Sequence, residues 1–492
     1  MDLLAPALVD RLRDALSAAG FRYDAVAALL GPTAHAALGR NETTPGLRAT
    51  RGGSPLETLV RLWPLQAPVP ADRAERALPA LVEPLTAAGF LARSGGEVRA
   101  RVDVRPYADD GRDWWVLSDL TPGLDGAPIA VGPDHVLGIS SASSSLAQLT
   151  VRAPFERALD LGTGCGVQAL HLAQHVREVV ATDVNERALA MTRLNARLNE
   201  VDVDVRAGSL YEPVAGERFD LVVTNPPFVV SPATGQRLVY RDSGLPGDEM
   251  VRRVVTGAPQ HLVPGGWAQV LANWVHRRGE RWQDRVAGWL EGSGCDAWVV
   301  QREVADPAEY VELWLKDAGV HGRPDYPARY DAWLAWFAEQ GVEGIGFGWL
   351  HLRRVHRDPV VHLEEWPFDI EQPLGPEVAD RARRTDFLAA RDDAALLEER
   401  LSVRVDVRQE TVGEVGADDP ESIVLRQQRG MRRARRVDTV EAGLVGASDG
   451  DLSVRQLLEA LASLLELDPA GLCRDRVAAV RELVADGFLL PS

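Results

Sequence analysis

Asn225-Pro226-Pro227-Phe228 closes an apolar run, Phe219 to Thr224, and lies downstream of a glycine-rich loop, Asp160-Leu161-Gly162-Thr163-Gly164-Cys165-Gly166. An asparagine side-chain carbonyl and the backbone carbonyl of the next residue can each accept one hydrogen of a single planar amino group. Such a pair holds the group while its nitrogen is alkylated. Pro226 and Pro227 restrict the backbone and make the segment a fixed platform. Phe228 offers a flat face for stacking on a base or on a planar amide. Proton loss can follow alkylation, so this chemistry requires no histidine base.

The glycine loop follows one apolar run, Phe155 to Leu161, and precedes a helical pattern, Val167 to His175. Gly162 and Gly164 permit a tight turn and close ligand approach, and Gly166 lets the helix pack near a sheet. Asp183 follows the next apolar run, Val179 to Thr182, where a carboxylate accepts from ribose hydroxyls. A dinucleotide competes with other nucleotides for this loop.

Together the two segments resemble the class I S-adenosylmethionine-dependent N-methyltransferases that carry an Asn-Pro-Pro-Phe motif, including rRNA amino and release-factor glutamine methyltransferases. The resemblance covers roughly residues 131 to 360. It implies a Rossmann-like α/β core, S-adenosyl-L-methionine as cofactor, and methyl transfer to a planar nitrogen. By the same resemblance, Asp160 helps position the amino-acid portion of the cofactor, Gly162, Gly164 and Gly166 shape its turn, and Asp183 accepts from its ribose, with Asn185 nearby. Gly208-Ser209-Leu210 matches the segment that borders adenine, although Ser209 stands where many relatives place an aspartate. Asn225, Pro226, Pro227 and Phe228 form the catalytic segment.

The first acceptor expected is an amino group of adenine or guanine in structured RNA, such as rRNA. Protein glutamine is the alternative, followed by a small-molecule amine and by a noncatalytic scaffold that binds cofactor without turnover. Arg426, Arg429, Arg432, Arg433, Arg435 and Arg436 are the densest basic cluster, suited either to an RNA backbone or to intramolecular pairing. Gly235, Arg241, Asp242, Ser243, Gly244 and Gly247 fall in a turn-rich loop that suits a lid or substrate collar. His171 and His175 are four apart on a helix but lack the intervening glutamate of a zinc hydrolase, and no metal is expected.

The elements that position these residues follow from periodicity. Short apolar runs at 155–161, 179–182, 219–224, 267–272 and 297–300 alternate with helical patterns, the signature of a parallel sheet covered by helices. Residues 345–355 read as a last strand, whose surrounding glycines, Gly341, Gly344, Gly346 and Gly348, fit a bend or an edge.

At 492 residues the chain is long enough for two to four domains. Residues 1–130 read as a helical or winged-helix-like module, 131–365 as the nucleotide-binding domain, and 366–492 as an α+β module. Val484 to Leu489 resembles Leu85 to Leu91, which raises two related small modules flanking the centre. Trp114-Trp115 fits a core or an interface, and Ser140 to Ser145 reads as a polar connection. The formal charge of -18 counts against broad adhesion to nucleic acid. Three scattered cysteines fit a reducing compartment. With no leader pattern between Met1 and Asp10 and no long apolar run, a cytoplasmic protein without a membrane partner is expected.

Overall fold

The apolar runs of the central segment become strands of one sheet in the computed structural model, which describes residues 4–109, 111–127, 132, 134–233, 243–415 and 420–492. In chain order they are β1 (Phe155–Leu161), β2 (Val176–Asp183), β3 (Asp204–Ala207), β4 (Phe219–Thr224), β5 (Leu262–Arg277), β6 (Cys295–Ala305), β7 (Val342–Arg354) and β8 (Val361–Glu365). Across the sheet the order is β8-β6-β7-β5-β4-β1-β2-β3. Helices α1 (Val167–Leu172), α2 (Glu186–Leu198), α3 (Glu249–Gly257) and α4 (Trp282–Leu290) alternate with the strands, giving a Rossmann-like α/β core. β1 lies between β2 and β4, so the chain changes direction of travel there, and open α/β sheets take ligands at such a switch point. Leu159, Val180, Val222 and Ala268 from four strands are buried in one core. Each large aliphatic side chain so buried contributes about 1.5–3 kcal/mol.

The sheet is mixed rather than all-parallel, because β7 runs antiparallel to both β5 and β6. Two helices that pack on each other, α5 (Pro307–Asp317) and α6 (Tyr326–Glu339), connect β6 to β7. A pair of opposed helices returns the chain to the edge it left, so the next strand must run back. β7 is also internal, which corrects the expectation of a bend or an edge strand. Its glycines instead make room for a buried indole: a Cβ at Gly346 would lie 2.5 Å from Trp274 Nε1, and one at Gly348 would strike the Val300 carbonyl and lie 2.6 Å from the Trp274 ring.

The amino-terminal region belongs to the same compact unit as this sheet. Helix Pro55–Leu62, strand Val69–Pro70, helices Ala71–Ala77 and Val82–Ala87, and strands Leu91–Ser94 and Glu97–Ala100 form a winged-helix-like array in which the last strand pairs with both others. The two strands that follow, Asp103–Asp109 and Arg112–Ser118, form a separate hairpin. That hairpin docks on α2. Asn195 brackets Leu117, accepting from its N–H at 2.8 Å and donating to its carbonyl at 2.8 Å, and Asn199 does the same for Trp115 at 2.9 and 2.8 Å. Trp114 and Trp115 are buried, and Trp115 Nε1 donates to the Phe21 carbonyl.

Residues 148–152 and 367–492 form the second unit. One of its sheets places Arg400–Val403 between Asp449–Ser453 and Leu489–Pro491, and another places Ser422–Gln427 between Val407–Val412 and Ala434–Val437. Together with helices Thr439–Ala447, Val454–Leu464 and Pro469–Ala485, the first of these sheets repeats the amino-terminal array with its central strand supplied from earlier in the chain. The likeness between Leu85–Leu91 and Val484–Leu489 has a physical basis. Gly89 and Gly487 both take φ of +78°, and the next residues, Phe90 and Phe488, donate back to Leu85 and Leu483 at 2.9 and 2.8 Å, a helix stop that requires the left-handed region.

Two glycines separate steric crowding from helix propensity. Gly348→Ala should lower stability by about 3 kcal/mol or more, because the obstructing atom is backbone in the middle of the sheet. Gly288→Ala, on an exposed turn of α4 with open space around it, should raise stability by about 0.5–1 kcal/mol. Urea unfolding of both variants measures the contrast.

Candidate active site

Sheet register brings the two motifs together. Leu161 on β1 pairs with Thr182 on β2 and with Thr224 on β4, and Asp183 pairs with Ala207 on β3. The residues that follow, Gly162, Asn225 and Gly208, therefore emerge at one carboxyl-terminal edge. Thr224 Oγ1 ties this edge across strands by donating to the Leu161 carbonyl at 2.7 Å. Above it lies a cavity of about 360 Å³, within the range that holds a small molecule. The candidate residues Asp160, Gly162, Gly164, Asp183, Asn185, Ser209, Leu210, Asn225, Pro226, Pro227 and Phe228 line it, whereas Gly166 does not.

Gly166 takes φ of +86° at the start of α1, and its missing side chain admits Thr192 of α2, which a Cβ would meet at 3.1 Å. The close approach it permits is thus to a neighbouring helix rather than to the sheet. Asp160 is buried beneath the turn, where its Oδ2 accepts from Thr163 Oγ1 at 2.6 Å and from Ala169 N–H at 3.0 Å. Desolvation pushes its carboxyl up to about 7, against hydrogen bonds that act in the opposite direction. Asp183 crosses from β2 and accepts from the N–H groups of Gly164 and Asn185 at 3.0 and 2.9 Å. Burial also raises its carboxyl above the ordinary range. A carboxylate has about four acceptor positions, so ribose hydroxyls can be accommodated beside these two bonds.

Asn185 is the N-cap of α2. Its Oδ1 accepts from Arg187 N–H at 2.9 Å and its Nδ2 donates to the Asp134 carbonyl at 3.0 Å, so both ends of the amide engage the protein. Ser209 and Leu210 border the same space, and Gly208 N–H donates to the Asp183 carbonyl at 3.0 Å. Cys165 is buried within the turn and its thiol is pushed up to about 12 by desolvation, which suits packing rather than nucleophilic chemistry.

Across the cavity, Asn225 Oδ1 is buried and without a hydrogen-bond partner among the described residues. A buried carbonyl oxygen left unmatched costs roughly 1–3 kcal/mol, and such a group in a cavity wall fits a donor supplied by a ligand. Phe228 meets Trp314 edge-on at 6.2 Å. Ser243, Met250 and Val254 line the same side, whereas Gly235, Arg241 and Asp242 lie outside the described residues.

Sequence reading missed the strap formed by His135 to Ser143. Ser141–Leu149 is a helix, not the polar connection expected, because Ser140 and Ser143 cap each other reciprocally at 2.8 and 3.2 Å. Gln168 Nε2 fastens the strap to α1 by donating to the Ser143 carbonyl at 2.7 Å. The serine pair three residues apart was the available signal. His171 joins the hairpin instead of a metal site, with Nε2 2.9 Å from Tyr107 Oη and Nδ1 3.2 Å from Asp109.

A family model described as the methyltransferase small domain matches residues 138–281, and two models described as domains of unknown function match residues 18–101 and 380–491. The matched segment, residues 138–281, is thus similar to the methyltransferase small domain. A release factor glutamine methyltransferase from Xylella fastidiosa is 38% identical over 24% of this chain and 47% of that protein. A ribosomal protein uL3 glutamine methyltransferase from Bradyrhizobium diazoefficiens is 35% identical over 23% of this chain and 39% of that protein. A ribosomal RNA small subunit methyltransferase C from Erwinia tasmaniensis is 29% identical over 37% and 49%. The chain thus spans about half or less of the length of these relatives. Among the described residues, no helix is long and apolar enough to cross a membrane.

The buried carboxyl beneath the glycine turn gives a pH prediction. Asp160 has a folded-state pKa raised from 3.8 to about 7, so folding favours its neutral form. Its contribution is full below about pH 4 and is lost as pH rises towards 7. Asp160→Asn should remove this descending component from a plot of unfolding free energy against pH between 4 and 7; an unchanged slope would reject the assignment.

Proposed function

We propose that the chain is an S-adenosyl-L-methionine-dependent N-methyltransferase acting on a planar amino group, and the unpartnered Asn225 Oδ1 in the cavity wall is the observation that carries this reading. The residues present fit the cofactor. Asp183 would hold its ribose, the turn from Gly162 to Gly166 with Asp160 beneath it would receive the amino-acid portion, and Ser209 with Leu210 would border its base. When bound, S-adenosylmethionine supplies a methyl group activated by a sulfonium. Asn225 Oδ1 and the Pro226 carbonyl would accept the two hydrogens of the acceptor amino group, orienting its lone pair and favouring pyramidal geometry at nitrogen. The same dipoles stabilise positive charge as it develops there. The described acceptor side, from Asn225 to Phe228 with Ser243 and Met250, is uncharged, which suits a neutral base or amide rather than an ammonium ion that must first lose a proton.

The first acceptor is a base in structured RNA such as rRNA, a reading supported by the relative named for ribosomal RNA and by the winged-helix-like array. The arginine cluster adds less than its density implied. Arg426 pairs with Glu410 at 2.7 Å, Arg435 with Glu441 and Glu482 at 3.2 and 2.8 Å, and Arg433 is only 9% exposed. Protein glutamine is the second reading, favoured by the relatives named for release factors and for a ribosomal protein.

Two variants test the division of labour. Asn225→Ala should leave S-adenosylmethionine affinity within about twofold and lower methyl transfer by about 10²–10³-fold, the scale seen when one charge-stabilising dipole is removed. Asp183→Ala should weaken cofactor binding by about tenfold or more, through loss of hydrogen bonds to a charged group. Calorimetric titration with the cofactor and transfer of labelled methyl into a lysate from cells lacking the chain measure the two effects; normal transfer by Asn225→Ala would refute its role.

A further inference from the structure

Pro226 and Pro227 have no N–H to donate, so the catalytic segment cannot be fastened through the amides at its own centre. Its anchor lies two residues beyond Phe228. Val230 is fully buried, its N–H donates to Tyr310 Oη at 2.9 Å, and its carbonyl accepts from Trp333 Nε1 at 3.1 Å. Both backbone groups of one residue are thereby held by side chains from the two-helix insertion, Tyr310 from α5 and Trp333 from α6. Tyr310 Oη also accepts from Asn273 Nδ2 at 3.1 Å, which ties the clamp to β5, the strand beside β4. Tyr310 and Trp333 are buried in the same apolar cluster and meet edge-on at 6.4 Å.

This arrangement differs from ordinary core packing. An apolar cluster alone fixes neither the direction nor the register of the chain passing over it, whereas two directional hydrogen bonds, to the N–H and to the carbonyl of one residue, fix both. Buried backbone groups must find partners, and in a loop that leaves the sheet these partners are side chains. We propose that Tyr310 and Trp333 are positioning residues for the Asn225–Phe228 segment, acting through Val230, so that the α5–α6 insertion serves the acceptor site and leaves the cofactor site to β1 and β2. The inference rests on the methyltransferase reading for its kinetic test only.

Tyr310→Phe removes the acceptor and retains the ring; Trp333→Phe removes the donor and retains much of the apolar volume. Both should lower the maximal rate of labelled methyl transfer from S-adenosylmethionine into the lysate of cells lacking the chain by about 10–100-fold, the scale of a small misplacement at a reacting centre. The KM for S-adenosylmethionine should stay within about twofold. In hydrogen exchange, amides from 228 to 232 should exchange at least tenfold faster in Tyr310→Phe, while those of β1 and β2 keep their wild-type rates. An unchanged transfer rate in either folded variant overturns the proposal, as does a rate loss accompanied by an equal loss of cofactor affinity or by faster exchange throughout the sheet. Absence of transfer by the wild-type chain would count against the methyltransferase reading, and the exchange measurement would still decide whether the clamp holds the segment.

Discussion

A side-chain oxygen kept buried and, among the described residues, unmatched just beyond the end of β4 is the constraint around which the central domain is organised. Left to itself, Asn225 would turn its amide towards water or towards a neighbouring backbone group, because an unpaired buried acceptor is costly. Several independent restraints oppose that relaxation. The preceding strand is paired on both sides, to β1 and to β5. Two prolines stiffen the chain that follows. Beyond them, Val230 is held at both its polar groups. The stabilising interactions lie one to five residues from Asn225, and the exposed end of the arrangement is the cavity wall.

The opposite wall follows a different logic. There the polar groups are already satisfied by the protein: Asp160 by Thr163 and Ala169, and Asp183 by Gly164 and Asn185. These bonds define the turn before any ligand arrives, which reduces the ordering that binding must otherwise impose. Asn195 extends this preorganisation outward, since its Nδ2 donates both to the Cys165 carbonyl in the turn at 2.7 Å and to Leu117 of the hairpin. The hairpin is therefore tied to the glycine turn through one buried amide, beside the Asn199 bonds to Trp115 and the apolar cluster that Leu117 shares with Cys165 and Leu170.

Much of this was legible in the sequence because the signals were local. β1 and β4 have the limits that their apolar runs predict, and the glycine turn and Asn225 segment follow directly from them. What was not legible depended on long-range partners. The glycines of β7 resembled a bend until Trp274, more than seventy positions earlier, was seen to occupy their space. The strand direction of β7 depended on α5 and α6, whose role emerges only from their packing against each other and from contacts between Tyr310, Trp333 and Val230. The arginines looked like a basic surface because carboxylates such as Glu482, which pairs with Arg435, lie far along the chain. The repeated helix stop at Gly89 and Gly487 was visible as a short string, but its meaning required the strand order of both sheets.

The central claim is that the methylated atom is a planar nitrogen held by Asn225. Its most direct test is to transfer isotopically labelled methyl from S-adenosylmethionine into RNA, protein and small-molecule fractions of cells lacking the chain, hydrolyse each completely, and identify the labelled residue by mass spectrometry. An N-methylated amino group of adenine or guanine is the predicted product, and N-methylglutamine in the protein fraction would retain the planar-nitrogen claim while moving the acceptor to protein. Label on oxygen, on carbon or on an alkyl amine, or no label in any fraction, would contradict the account.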